Sequence, residues 1–228
     1  IIHKDSHDRR GIDVALLYRK DEFKDVGQEI TKVTFPFDST LTTRDILHVY
    51  GKISDGREMH FYVNHWKSRN EGQRETEPQR MYCAVALRRN IDMLLSKDSR
   101  ARIVIMGDFN DEPTNKSIMN VMQASNKRKN LMTGEFYNLM YDKHNLGQTG
   151  SFRNQGTWIM PDQIIISYNL LTATEGYRCN YDSGQIFKTG WMMSDNNDGK
   201  EAPNSTYNGK NYSGGISDHL PVFLMLTK

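Results

Sequence analysis

Cysteine is nearly absent from this chain: Cys83 and Cys179 are the only two, and they stand far apart in sequence. Neither sits in a Cys-x-x-Cys pair or beside a histidine cluster, so a cysteine-based zinc site has no support and both read as free thiols. Also missing is any apolar run approaching the ~20 residues that a membrane-spanning helix needs, and no transmembrane segment is expected. The chain lacks a strong charge of either sign. A net charge of +2 and a pI of about 8.4 give only mild attraction to polyanions, so any nucleic-acid contact must be local rather than a broad basic face. No internal repeat is visible. The opening Ile1-Ile2-His3-Lys4 has neither an initiator Met nor the basic and apolar regions of a signal peptide, and the gene is expected to start upstream.

What is present fits an ordinary polar globular protein. Hydrophobic residues make up 37% and charged residues 25% of the 228 positions, enough for one domain, 1–228, with a substantial core. The β-branched, apolar run Gly11 to Tyr18 predicts a buried strand. Ile46 to Tyr50 and Glu58 to Asn64 predict an antiparallel pair, joined across Ser54-Asp55-Gly56-Arg57, whose Asp-Gly is a strong hairpin signal. From Glu77 to Leu95, apolar residues recur on one helical face, with Arg80, Arg88 and Arg89 off it, which predicts a long amphipathic helix packed on a sheet. Ile103 to Met106, Gln163 to Ile166 and Leu220 to Leu226 predict further strands, and Ser117 to Gln123 a short helix. The segment from Tyr177 to Gly215 is rich in Asn, Gly, Asp, Ser and Tyr without sustained periodicity, and reads as a long surface loop or one that shapes a substrate site. The class is mixed α/β.

Chemistry concentrates where acidic residues meet strand ends. Asp108, Asn110 and Asp111 follow one apolar run, Asp162 opens another, and Asp218-His219 precedes the last. A carboxylate beside an imidazole at a sheet edge can hold a divalent metal with one side chain and move a proton with the other, so hydrolysis of phosphate esters leads. Taken singly, each motif has a plainer reading: Asp108-Phe-Asn110 as a turn, Asp162 as a strand terminus, His219 as a surface histidine.

Their order along the chain resembles the endonuclease/exonuclease/phosphatase superfamily. The residues that carry the resemblance are Asp8-Arg-Arg-Gly-Ile-Asp-Val-Ala15, Asn64-His-Trp-Lys-Ser-Arg69, Ile103-Val-Ile-Met-Gly-Asp-Phe-Asn-Asp-Glu-Pro113, Trp158 with Asp162-Gln-Ile-Ile-Ile166, and Ser217-Asp-His-Leu-Pro221. That family includes deoxyribonuclease I, abasic-site endonucleases, neutral sphingomyelinases and inositol-phosphate phosphatases. The resemblance implies a four-layer sandwich of two mixed, mostly antiparallel sheets face to face, flanked by helices. His219 would then be the general base or electrostatic group at phosphorus, with Asp162 fixing its tautomer and favouring its protonated form. Asp108 would orient or deprotonate the attacking water, and Asn110 would hold a phosphate oxygen or a metal-bound water. His65 would donate to a phosphoryl oxygen, and Asp218 would be a ligand of Mg²⁺ or Mn²⁺.

Arg10, Arg69 and Trp158 are the candidates for touching substrate, although Arg9-Arg10 also reads as a solvated turn and Trp66 and Trp158 as core. The family pattern begins with strands bearing a metal-binding Asn and Glu, and no match to them precedes the first motif here. The chain is therefore expected to bind metal weakly alone, and to associate with a missing N-terminal fragment or a second copy. A nuclease acting on nucleic acid is the favoured expectation, with Arg69, Arg74, Lys188, Lys200 and Lys210 available for phosphate contacts. A phosphomonoesterase or sphingomyelinase-like lipid phosphodiesterase is the alternative, and an inactive binding fragment the third. Similar bacterial-looking members are often exported, and the compartment here stays open.

Overall fold

The Ile-rich runs alternate their side chains between the two faces of one sheet, and both faces are covered. The computed structural model describes residues 1–8, 11–195 and 200–228. In chain order its principal elements are β1 (Phe23–Thr31), β2 (Ile46–Ile53), β3 (Glu58–His65), α1 (Gln73–Lys97), β4 (Ile103–Asp108), β5 (Ala124–Ser125), β6 (Phe136–Asn138) and β7 (Asp162–Ser167). The seven strands form a mixed sheet in the order β1-β2-β3-β4-β7-β6-β5. The β2–β3 hairpin is antiparallel, and Gly56 in its turn has φ 83°, a backbone conformation that glycine adopts without strain. β3 and β4 run parallel, which requires a long crossover, and α1 is that crossover.

Alternation sets the two cores. Ile103, Ile105 and Ile165 point into the layer beneath α1, where Cys83, Ala84, Leu87 and Ile91 meet them. Val104, Ile164 and Ile166 point to the opposite face, against Met140, Met160, Leu170 and Cys179. Because both faces are buried, these strands read as continuous apolar runs rather than alternating ones.

Three expectations fail in detail. α1 starts ahead of Glu77 because Arg80, 0% exposed, turns inward: its guanidinium bonds Thr76 Oγ1 at 2.6 Å and the Gln73 carbonyl at 2.7 Å, which ties down the first turn. Helical periodicity places Arg80 off the buried face, but Asp111 is its buried counter-ion at 2.7 Å. In the Gly11–Tyr18 run only Ala15–Leu16 is a strand, paired to Ile2–His3, and burial is confined to Val14 and Leu16. The Leu220–Leu226 run divides into Val222–Phe223, paired with Gln185–Ile186, and Leu226–Thr227, paired with Arg178–Cys179. Where the sandwich expectation has a second sheet, the described residues show separate antiparallel pairs of two or three residues. Described residues of the Tyr177–Gly215 segment carry these partners and two further antiparallel pairs. Among the described residues no helix is long and apolar enough to cross a membrane.

Candidate active site

Sheet register brings the expected residues together. His65, the last residue of β3, is the register partner of Asp108, the last of β4, and Asp108 is the partner of Asp162, the first of β7. Directly opposed residues on neighbouring strands share a face, so three strand ends present His65, Asp108 and Asp162 in one row. Gly107 makes this possible: its φ is 135°, and a Cβ there would collide with the carbonyl of Asn64 on β3. His219 enters from the C-terminal segment through a bridge to Phe152, whose ring stacks on the imidazole at 4.6 Å.

Hydrogen bonds fix the geometry. His219 Nδ1 lies 2.6 Å from Asp162 Oδ2, and the same oxygen accepts the Ser151 hydroxyl at 2.6 Å. His65 Nε2 is 3.5 Å from Asp108 Oδ2. Asn110, in the left-handed region at φ 49°, a conformation Asn tolerates better than most residues, donates its main-chain N–H to Asp108 Oδ1 at 2.8 Å. Its side-chain amide donates to Asp108 Oδ2 at 3.2 Å and to the Trp66 carbonyl at 3.1 Å. Both amide hydrogens are thus used inside the protein, and Asn110 holds Asp108 in place.

Electrostatics divides the labour. Burial, together with the nearby charge of Asp162, raises the Asp108 carboxyl to about 6, although His219 pulls the other way. For His219, burial opposes the charged ring, but the hydrogen bond and charge of Asp162, joined by Asp108 and Asp218, outweigh it and raise the imidazole to about 9. These influences favour the protonated ring, the form the resemblance implies for a histidine whose Nδ1–H is accepted by Asp162, and a protonated ring can act as a proton donor or electrostatic group.

His65, Arg69, Asp108, Asn110, Asp162, Asp218 and His219 all line one cleft of about 660 Å³. Three sequence candidates fare differently. Arg10 lies outside the described residues. Trp158 is outside the lining of the cleft, its ring facing Lys188 at 5.8 Å, and Lys188 pairs with Glu201 at 2.6 Å. Arg69 reaches the cleft, yet its fork holds the loop after β4: it bonds the Asn110 carbonyl, Asn115 Oδ1 at 2.9 Å, Glu112 at 3.2 Å and Asp111 at 3.3 Å. A guanidinium so committed is a brace for that loop.

Sequence reading missed the supports. Arg44, almost fully buried, bonds the carbonyls of His65 at 2.8 Å and of Trp66, and pairs with Asp8 at 3.1 Å. Asp111 is pinned by Arg80, Arg69 and Ser117. Ser151 stands in Thr149-Gly150-Ser151, and no spacing singles it out.

A family model described as the Endonuclease/Exonuclease/phosphatase family matches residues 1–228, the whole chain. The chain belongs to that family. Its members are phosphoester hydrolases. Solved structures of related fold include the catalytic domain of human nocturnin with bound sulfate, at 18% identity and TM-score 0.52, covering 91% of this chain and 61% of that one. A mannosyl-6-phosphatase from Bacteroides thetaiotaomicron aligns at 16% identity and TM-score 0.56, covering 100% of this chain and 76% of that one. TDP2 from D. rerio, complexed with single-strand DNA product, aligns at 13% identity and TM-score 0.53, covering 92% and 70%. At these identities the likeness shows the fold alone, and this family fold bears out the α/β class. The chain spans less than two thirds of the nocturnin domain, 61% of its length. No curated protein matches the chain.

Proposed function

We propose that this chain carries the catalytic face of a divalent-cation-assisted phosphoester hydrolase that cuts phosphodiesters in nucleic acid. The observation that carries the reading is the register row His65–Asp108–Asp162 with His219 bonded to its end. Asp108, ionised at neutral pH, takes the proton of the attacking water. His219, held by Asp162, donates from its other ring nitrogen to the phosphoryl or leaving oxygen. His65 supplies a further hydrogen bond on the Asp108 side.

The donor set suits a hard cation. Ligand atoms of Asp108, Asp162 and His219 lie within 4.8 Å of one another, and the crowding that raises Asp108 is what a dication would relieve. Because His219 Nδ1 is already engaged, the carboxylate oxygens of Asp108 and Asp162 would hold Mg²⁺ or Mn²⁺. Asp218, at the rim and outside that trio, would be a further oxygen donor. Bound there, the cation would polarise the phosphoryl group.

A second reading, a phosphomonoesterase acting on a hydroxyl-rich substrate such as a sugar phosphate, is favoured by the walls of the cleft. Ser68, Asn70, Asn154 and Gln155 line it with neutral hydrogen-bonding groups, and a mannosyl-6-phosphatase shares the fold. TDP2 with its DNA product supports the nuclease reading to the same degree.

The test offers the full-length protein supercoiled plasmid, single-stranded DNA, a hexose 6-phosphate and sphingomyelin, in Mg²⁺, Mn²⁺ and EDTA, with His219→Ala alongside. Nicking that needs both cation and His219 is expected. Turnover of the sugar phosphate alone would move the reading to the monoesterase. Activity on any substrate that is untouched by His219→Ala would sink the site assignment.

A further inference from the structure

Asp162 does not hold His219 unaided. Ser151 is 0% exposed and makes three bonds at this point. Its hydroxyl donates to Asp162 Oδ2 at 2.6 Å, its oxygen accepts the main-chain N–H of Asp162 at 3.2 Å, and its carbonyl accepts the N–H of Leu220, the residue after the histidine, at 2.7 Å. The next residue, Phe152, bridges His219 through the main chain and stacks on its ring. One dipeptide thus grips the imidazole, its neighbour and its carboxylate partner at once. Gly150, just before it, cannot carry a Cβ, because the carbonyl of Ile159 occupies that space. The start of the hairpin formed by Phe152–Asn154 and Thr157–Ile159, which leads from this dipeptide into Asp162, is therefore fixed by backbone packing.

The choice of oxygen matters. The hydroxyl of Ser151 and Nδ1 of His219 converge on the same Oδ2. With Oδ2 tied from two sides, the Asp162 side chain is held against rotation that would present it elsewhere. Oδ1 is then the oxygen left for the cleft that Asp162 lines. Hydroxyl and imidazole together therefore set which edge of the ring points at substrate. We propose that Ser151 is a positioning residue for the proposed hydrolysis: acting through Asp162, it fixes the orientation of His219. This inference rests on the functional reading above and adds a residue that never touches the substrate.

The test compares Ser151→Ala, Ser151→Thr, His219→Ala and the double variant that combines Ser151→Ala with His219→Ala, each in the full-length protein. Loss of one hydrogen bond to a charged group predicts a fall in kcat of about tenfold for Ser151→Ala, with KM within about twofold. Thr, which keeps the hydroxyl, restores kcat. In the His219→Ala background Ser151→Ala should change nothing further, because Ser151 acts through the histidine. A loss that multiplies independently of His219, or one confined to KM, overturns the proposal. Hydrogen exchange of the His219 Nδ1–H, followed by NMR in EDTA, decides the same point without turnover. Faster exchange in Ser151→Ala than in the wild type, with equal melting temperatures, supports positioning; equal exchange overturns it. If no phosphoester is hydrolysed by the wild type, the functional reading falls and the exchange experiment alone decides the role of Ser151.

Discussion

β3 carries a buried histidine near its start and a cleft histidine at its end, and the imidazole clusters at the two ends of this sheet have opposite electrostatics. At the cleft, His219 is raised to about 9. At the other end, His48 on β2 and His60 on β3 face each other at 3.0 Å, beneath the C-terminal half of α1. Burial and the neighbouring His60 lower His48 to about 4, and burial lowers His60 as well. Both clusters include carboxylates, so a partner's mere presence does not decide the outcome. What differs is how firmly the carboxylate is held. Asp162 is 18% exposed, short-stemmed and fixed by Ser151, at 2.6 Å from its imidazole. Glu29 is 57% exposed and 3.4 Å from His48, and Glu58 is 49% exposed and 3.2 Å from His60. A carboxylate that stays mostly in water cannot offset the desolvation of a buried ring. One cluster is therefore charged and suited to moving a proton, while the other is neutral and stacks on Tyr62 at 4.2 Å as part of the core.

The largest effect should come from making the cleft cluster resemble the buried one. Asp162→Asn keeps the shape and removes the charge that holds the proton on His219, so burial would then dominate. Phosphoester hydrolysis should fall by about 10²- to 10⁴-fold, the usual contribution of a positioned acid or base, with the fold retained by circular dichroism. A loss under about tenfold would mean that the proton on His219 is not used.

The next effect is on stability at acid pH. His48 has a folded value of about 4 against the ordinary 6.5, so the folded state binds fewer protons than the unfolded one in that window. Its contribution is present above 6.5 and is lost as pH falls through 4, an effect of about 3 kcal/mol, to which the lowered His60 adds in the same direction. His48→Phe preserves the stacking on Tyr62 and removes the titration. Urea unfolding in EDTA between about pH 7 and pH 4 should then show a flatter decline than the wild type, and parallel curves would refute the assignment.

The opposite limb belongs to His219. Its folded value is raised to about 9 from 6.5, so this contribution is fully present below 6.5 and is lost as pH rises through 9. The size is again about 3 kcal/mol at most, reduced in practice because the side chain is 28% exposed. In EDTA the wild type should lose stability between pH 6.5 and 9, and Asp162→Asn should lose less over the same range. A wild-type curve that is flat there would show that the pair is not charged in the folded protein.

The same contrast explains what could be read in the sequence. Elements fixed by local pattern were legible: the hairpin at Asp55-Gly56, the apolar face of α1, and the runs at Ile103 and Ile164. Site residues at strand ends were legible as an ordered set because each motif stands at the end of such a run. Features made by contacts across the fold were not. The inward turn of Arg80 depends on Asp111 in a distant loop. The commitment of Arg69 depends on the same loop, and the grip of Ser151 on Asp162 depends on a hairpin closing between them. The break in Leu220–Leu226 has a similar origin: residues 221–226 alternate between exposed and half-buried, as a strand should, but ladder hydrogen bonds need partners, and here those are two short segments of an otherwise polar stretch.

The smallest predicted effect is the most discriminating about the cause of the contrast. If exposure of the carboxylate, rather than distance alone, keeps His48 neutral, then Glu29→Gln should hardly matter. The expected change in stability at neutral pH is within about 0.5 kcal/mol, as for other exposed substitutions, and the acid limb should keep its slope. A carboxylate as firmly held as Asp162 would behave otherwise, since its removal leaves a buried charge without a partner. A loss of several kcal/mol on Glu29→Gln at neutral pH would mean that Glu29 is bound to a protonated His48 in solution. The two clusters would then differ in degree rather than in kind, and the neutral core pair would have to be redrawn as a second charged one.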